Sequence, residues 1–172
     1  LPPVFQGTTF GSAGRPAVDA TIRDLVNRRY GGKNQKRQFD LLRSLNAEQL
    51  KRNTSDDELE SVISSFELAW RIQSHAPELL DLSGESAATL EMYGVDEKET
   101  EDFGRQCLMA RRFCEAGVRY IQVTYGDGTA NPAWDQHSNL PKHGEHALRV
   151  DKPIAGLLED LDQRGLLEDT IV

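Results

Sequence analysis

Three of the chain's four histidines, His137, His143 and His146, fall within ten residues of one another. The run Ala133-Trp134-Asp135-Gln136-His137 leads into them. Carboxylate and imidazole are hard-to-borderline donors, suited to Zn2+ or a similar divalent cation. Asp135 and His137 are two residues apart, so a turn or an irregular loop aims both at one ion. His143 approaches the same place from the entrance of the helix that follows. The bland alternative is a polar loop in which an Asp-x-His pair arises by chance and His146 caps a helix or faces water. Asn131-Pro132 and Gly126-Asp127-Gly128 are turn chemistry. A Gly-rich phosphate loop ending in Lys-Ser/Thr, a G-x-S-x-G elbow and a Cys-His pairing signature are all missing. The sequence therefore names no nucleophile.

The elements around this stretch follow from hydrophobic period. Phe103, Cys107, Ala110 and Cys114 recur at helical spacing, and Gly117 closes that helix. The β-rich run 118–124 reads as a strand, the polar stretch 125–144 as a loop, and 145–164 as a helix bearing Leu148, Ile154, Leu157, Leu158 and Leu161. Gly165 caps it, and Thr170-Ile171-Val172 reads as the start of a second strand. Strand, loop, helix, strand is a βαβ crossover of a parallel sheet. The expected fold class is thus α/β, with the histidine loop beyond the carboxyl end of a strand, where open sheets place ligands.

Upstream the reading is helical. Residues 1–37 are an irregular segment with a possible short helix over 17–30 (Val18, Ile22, Leu25, Val26), and 38–116 form a helical segment. Within it, Phe39, Leu41, Leu42 and Leu45 mark a first helix, and Asn46 with Gln49 looks like an N-cap opening a short second one. Ser55 and Glu58 form a capping box for a helix carrying Leu59, Val62, Ile63, Phe66, Ala69 and Trp70, which stops before Pro77. Residues 86–93 form another helix ended by Gly94. His75 is placed as a dipole partner at a helix C-terminus. Residues 117–172 are the βαβ unit.

Composition excludes several classes. The chain has 172 residues, with 20 Lys and Arg against 28 Asp and Glu, for a net charge of −8. A globally basic nucleic-acid binder is disfavoured on that balance, and the cluster Arg23, Arg28, Arg29, Lys33, Lys36 and Arg37 reads as a solvated face, with a phosphate-contacting patch as the alternative. The longest apolar run, Cys107 to Ala110, is far short of the roughly 20 residues a membrane span needs. Leu, Ile, Val and Phe make up about 24% of the chain, above the range of disordered sequences. Cys107 and Cys114 lie about 10.5 Å apart along one helix, beyond the roughly 7 Å that a disulfide spans. They are read as apolar fillers.

Several stretches resemble a large bacterial family of unknown function often described as sulfatase-like. They include Phe39-Asp40-Leu41-Leu42-Arg43-Ser44-Leu45-Asn46, Phe103-Gly104-Arg105-Gln106-Cys107-Leu108, Gly117-Val118-Arg119-Tyr120-Ile121-Gln122-Val123, Trp134-Asp135-Gln136-His137 and Asp151-Lys152-Pro153-Ile154-Ala155. The resemblance implies the alkaline-phosphatase-like superfamily of metal-dependent hydrolases and its parallel-sheet domain. It implies metal ligation by Asp135 and His137, with His143 at a less regular position. It also implies a divalent metal (Zn or similar) in the complete protein, and a periplasmic or exported location. The chain begins at Leu1 and stops on a β-branched pair at Val172, so it is expected to be an internal fragment, inactive alone, whose nucleophile lies elsewhere.

The leading expectation is part of a metal-dependent sulfate or phosphate ester hydrolase acting on a small-molecule or polysaccharide ester. The alternative is a degenerate non-catalytic fold, or a helical interaction module in which Phe66, Trp70 and the Phe103 helix form a homodimer surface. Neither reading involves nucleic acid or a membrane span.

Overall fold

In the computed structural model of the chain, the residues described are 9–11, 15–20, 32–52, 63, 75–126 and 133–172. They divide into two units. One comprises Leu1–Phe10 and Thr21–Glu78, the other Gly11–Ala20 and Leu79–Val172.

In the first unit, α1 spans Gly32–Arg52. It begins six residues before Gln38 and runs straight through Asn46 and Gln49, which are interior positions and not the start of a second helix. Asn46 carries a capping side chain, but good helix formers on both sides of it (Leu45, Ala47, Glu48) let the first helix propagate through. Leu41, Leu42 and Leu45 are more than half exposed on it. Residues 75–80 are helical and include Pro77, with His75 exposed among them rather than closing a helix. The Ser55–Glu58 capping box, most of its helix with Phe66 and Trp70, and the basic residues Arg23, Arg28 and Arg29 lie outside the described residues.

The second unit carries the histidine stretch. Its helices are α2 (Ala87–Met92), α3 (Glu101–Glu115) and α4 (Lys142–Gln163). Short 3-10 turns lie at Ala17–Asp19 and Leu166–Glu168. Ser86 caps α2 by accepting from the Thr89 amide at 3.1 Å. Its other end closes in a Schellman turn, with Gly94 at φ +63° and the Val95 amide reaching back to the Leu90 carbonyl at 2.9 Å. The same closure ends α3, where Gly117 sits at φ +81° and Val118 bonds back to Phe113. Glu101 and Asp102 in the first turn of α3 and Arg112 in its last complement the helix dipole.

The core is built by Tyr93, Val95, Phe103, Cys107 and Leu108, against which Leu82, Leu90, Met92, Val123, Tyr125, Val150 and Leu157 pack. Two glycines permit the close approaches. A side chain at Gly104 or Gly156 would strike the carbonyl oxygen of Tyr93 or of Met92, so α2 and the turn after it seat directly on the backbones of α3 and α4. Cys107 and Cys114 are both free thiols, as their spacing requires.

The expected α/β fold is not what forms. Among the described residues there is no strand, so no parallel sheet and no βαβ unit at 117–172 is supported. Residues 121–126 keep the alternation of a strand, with Ile121, Val123 and Tyr125 half-buried and Gln122, Thr124 and Gly126 exposed. A strand exists only as part of a ladder, however, and no described backbone bonds across to this run. Residues 170–172 are extended but equally unpaired, with Ile171 fully exposed. β propensity and period describe a pleated, half-buried surface and cannot supply the partner. The unit is helical, with one extended segment laid against its core. No described helix is long and apolar enough to cross a membrane.

Candidate functional site

Residues 133–141 form a series of turns leading into α4, which starts at Lys142. Ala133 is buried, and its carbonyl accepts from the Gln136 side chain at 3.0 Å. Trp134 is the centre of an aromatic cluster. Its ring stacks on His143 at 6.0 Å and 26°, and lies 5.5 Å from His146 and 5.8 Å from Tyr125. Tyr125 in turn meets Phe103 of α3 edge to face at 5.6 Å. The Nε2 of His143 bonds to the Trp134 carbonyl at 3.0 Å. The loop is thus fastened to the first two turns of α4 through its tryptophan.

Asp135 and His137, the two residues flanking Gln136, are brought together: the Asp135 carboxylate contacts Nδ1 of His137. Both are exposed, His137 almost fully. The third predicted ligand, His143, is held by Trp134 and does not join them. Among the described residues no group of three His, Cys, Asp or Glu side chains is arranged to hold a metal ion. A carboxylate and an imidazole meeting at an accessible point fit a divalent cation as two of its donors. Such a centre needs one or two more. Two open cavities among the described residues, of about 370 and 450 Å3, lie elsewhere and include none of residues 133–146.

His146 is the residue that the sequence reading misplaced. It neither caps α4 nor faces water: its side chain is fully buried. Nδ1 lies 2.7 Å from the Tyr125 hydroxyl, and Nε2 is buried without a hydrogen-bond partner among the described residues. The signal was present in the helical period. His146, Val150, Pro153, Leu157, Asp160 and Leu161 are spaced by three and four residues along α4, and the stripe is half-buried to buried throughout.

The same stripe ends in a second polar feature that periodicity did not reveal. Arg111 of α3 is buried and pairs with Glu85 at 2.7 Å, Glu115 at 2.6 Å and Asp160 at 2.8 Å. Arg112 reaches Glu85 and the Leu79 carbonyl, while Arg164 reaches Asp160 and Glu115. Three guanidinium groups thus meet three carboxylates, and Tyr93 donates its hydroxyl to Asp160 at 3.0 Å. Burial works against ionising Glu85, but the hydrogen bonds from Arg112 and Arg111 outweigh it and hold its pKa below the ordinary range. Burial likewise pushes the Cys107 thiol up to about 12. Through these ion pairs the cluster ties α3, α4 and the 81–86 turn together.

Comparison with known proteins matches residues 1–172 to the family described as "Protein of unknown function (DUF1501)". No curated protein and no solved structure matches the chain. The match overturns the expected kinship: no sulfatase or alkaline-phosphatase-like family is found. The motifs that carried the resemblance are helix and turn sequences, such as Phe103–Leu108 within α3, and shared local packing of that kind does not transmit a catalytic assignment.

Proposed function

The chain belongs to the DUF1501 family of proteins of unknown function, and from its own residues we propose that it supplies Asp135 and His137 to a divalent-cation centre serving hydrolysis of a sulfate or phosphate ester. The observation that carries this reading is the meeting of the Asp135 carboxylate with the His137 imidazole at an accessible turn. The donor set suits Zn2+ or a similar ion, with one or two further donors needed to complete the centre. When bound, such an ion lowers the pKa of a coordinated water and stabilises charge developing on the ester oxygens. The chain's own part is to place donors. Asp135 fixes the imidazole of His137 through Nδ1, which leaves its other nitrogen facing solvent. Trp134, clamped on α4, anchors the backbone from which both side chains project.

Calorimetric titration of Zn2+ into the full protein tests the assignment, with wild type set against His137→Ala and Asp135→Asn. Each variant is expected to lose a binding event or to weaken it at least tenfold. Equal stoichiometry and affinity would remove both residues from the centre. Turnover of an aryl sulfate or aryl phosphate, abolished by a chelator and restored by Zn2+, tests the reaction.

A second reading has one observation in its favour. Leu41, Leu42 and Leu45 form an exposed apolar edge on α1, which suits self-association through that helix. Phe103 has no part in such a surface, because it is buried in the core. Light scattering of wild type and of a Leu41→Ser, Leu45→Ser variant decides this: a monomer in both cases ends the dimer reading.

A further inference from the structure

We infer that the buried pair Tyr125–His146 is a positioning device for the Asp135–His137 turn, an inference that rests on the cation reading above. His146 sits at a core position of α4, where a phenylalanine would bury a ring without stranding a polar atom. Instead one imidazole nitrogen bonds the Tyr125 hydroxyl at 2.7 Å, and the other is buried with no partner among the described residues. If Tyr125 donates to Nδ1, only the Nε2–H is left over. If Nδ1–H donates, both the tyrosine proton and the Nε2 lone pair are left over. Counting donors and acceptors therefore assigns the first arrangement. It leaves the Nε2–H unpaired among the described residues, on a ring whose centroid lies 5.6 Å from that of Tyr125 and 5.5 Å from that of Trp134.

That arrangement is directional in a way that an apolar contact is not. The hydroxyl fixes the rotation of the imidazole, and the imidazole and the tyrosine ring form two sides of the seat that Trp134 occupies. His143, one turn earlier on α4, stacks on the tryptophan and bonds its carbonyl. Trp134 is covalently next to Asp135, so whatever fixes its ring and its carbonyl fixes the start of the turn that brings Asp135 to His137. Tyr125 itself is held by Phe103. A continuous line of contacts thus runs from the core of α3 to the two donors, and its polar joint is Tyr125–His146. Groups hydrogen-bonded directly to metal ligands typically change metal affinity by roughly ten- to a hundredfold when altered, and a pair acting through Trp134 is expected at the lower end of that range.

The test uses the full chain in a Trp70→Phe background, so that Trp134 is the single tryptophan. Acrylamide quenching of Trp134 fluorescence and Zn2+ affinity are measured for wild type, His146→Phe and Tyr125→Phe, all well below the melting temperature and at unchanged helical circular dichroism. Tyr125→Phe removes only the hydroxyl, and it carries the test if His146→Phe does not fold. The expected result is a Trp134 quenching constant raised about twofold, with Zn2+ affinity lowered about tenfold. Unchanged quenching in a folded variant overturns the positioning role whatever the metal does. Raised quenching with unchanged Zn2+ affinity overturns the link to the donors. A wild type that binds no Zn2+ overturns the cation reading, while the quenching comparison still decides whether the pair seats Trp134.

Discussion

The hydroxyl of Tyr93 donates to the Asp160 carboxylate at 3.0 Å, joining the residue that ends α2 to one near the end of α4, 67 positions later. Both are buried, and the same carboxylate also receives Arg111 and Arg164. The tyrosine is held protonated: burial first, then the neighbouring Asp160 charge and its hydrogen bond, push its pKa well above the ordinary value near 10. Tyr93→Phe removes one bond and leaves Asp160 with two cations. The expected loss is about 1.5–3 kcal/mol, read as a lower urea midpoint at unchanged slope.

Removing the central cation is a harsher change. Arg111→Met leaves buried Glu85 and Asp160 each one partner short, with an expected cost of about 3–5 kcal/mol. Arg111→Lys is expected to recover little, since one ammonium cannot replace a guanidinium that faces Glu85, Glu115 and Asp160 through separate nitrogens. Urea denaturation of both variants checks this, and a lysine variant as stable as wild type would refute the geometric part.

The cluster sets an acid limit. Glu85 has its folded-state pKa below the unfolded value near 4.5. Its contribution is therefore complete above about pH 5 and is lost as pH falls through the depressed folded value. Stability measured from pH 7 to pH 3 is expected to decline below about pH 5. Glu85→Gln is expected to start less stable and to show a flatter decline. An equal slope in both proteins would assign the acid sensitivity to other groups.

Thiol chemistry separates the two cysteines. Cys107 is buried with its pKa pushed to about 12, whereas Cys114 is partly exposed beside Thr170. An aromatic disulfide reagent at pH 8 is expected to titrate one thiol in the native protein and two in denaturant. Rapid native reaction of both would show that α3 opens readily.

Two glycines of α4 are predicted to respond with opposite signs. A methyl at Gly156 would lie 2.6 Å from the Met92 carbonyl oxygen, which belongs to α2 and cannot rotate away. Gly156→Ala is expected to cost about 1–3 kcal/mol. Gly144 has open space around it, so Gly144→Ala is expected to be neutral or to stabilise by up to about 1 kcal/mol. Thermal melts of the two variants provide the comparison.

Much of this was legible along the chain. The period of Phe103, Cys107 and Ala110 and the glycines at 94, 117 and 165 placed three helices and their C-terminal ends. Those are local signals, carried by side-chain spacing and the freedom to adopt positive φ. Asp135 and His137 were legible for the same reason, since two residues two apart need only a turn to meet. Where the reading failed, the missing quantity was a partner distant in sequence. Residues 118–124 carry every local mark of a strand, yet strandedness is a property of pairs, and no described segment pairs with them. His143 lies against Trp134, nine residues earlier, and not beside Asp135 and His137, a placement that spacing alone does not give. His146 looked solvated because a histidine's burial depends on what closes over it, here Tyr125 and Trp134. The sequence by itself determined where α2, α3 and α4 run and which residues of the histidine stretch carry carboxylate and imidazole groups. Tertiary structure alone decided which of those groups meet, that the extended run stays unpaired among the described residues, and that Arg111, Glu85 and Asp160 converge, because each depends on groups that only folding brings within a few ångströms.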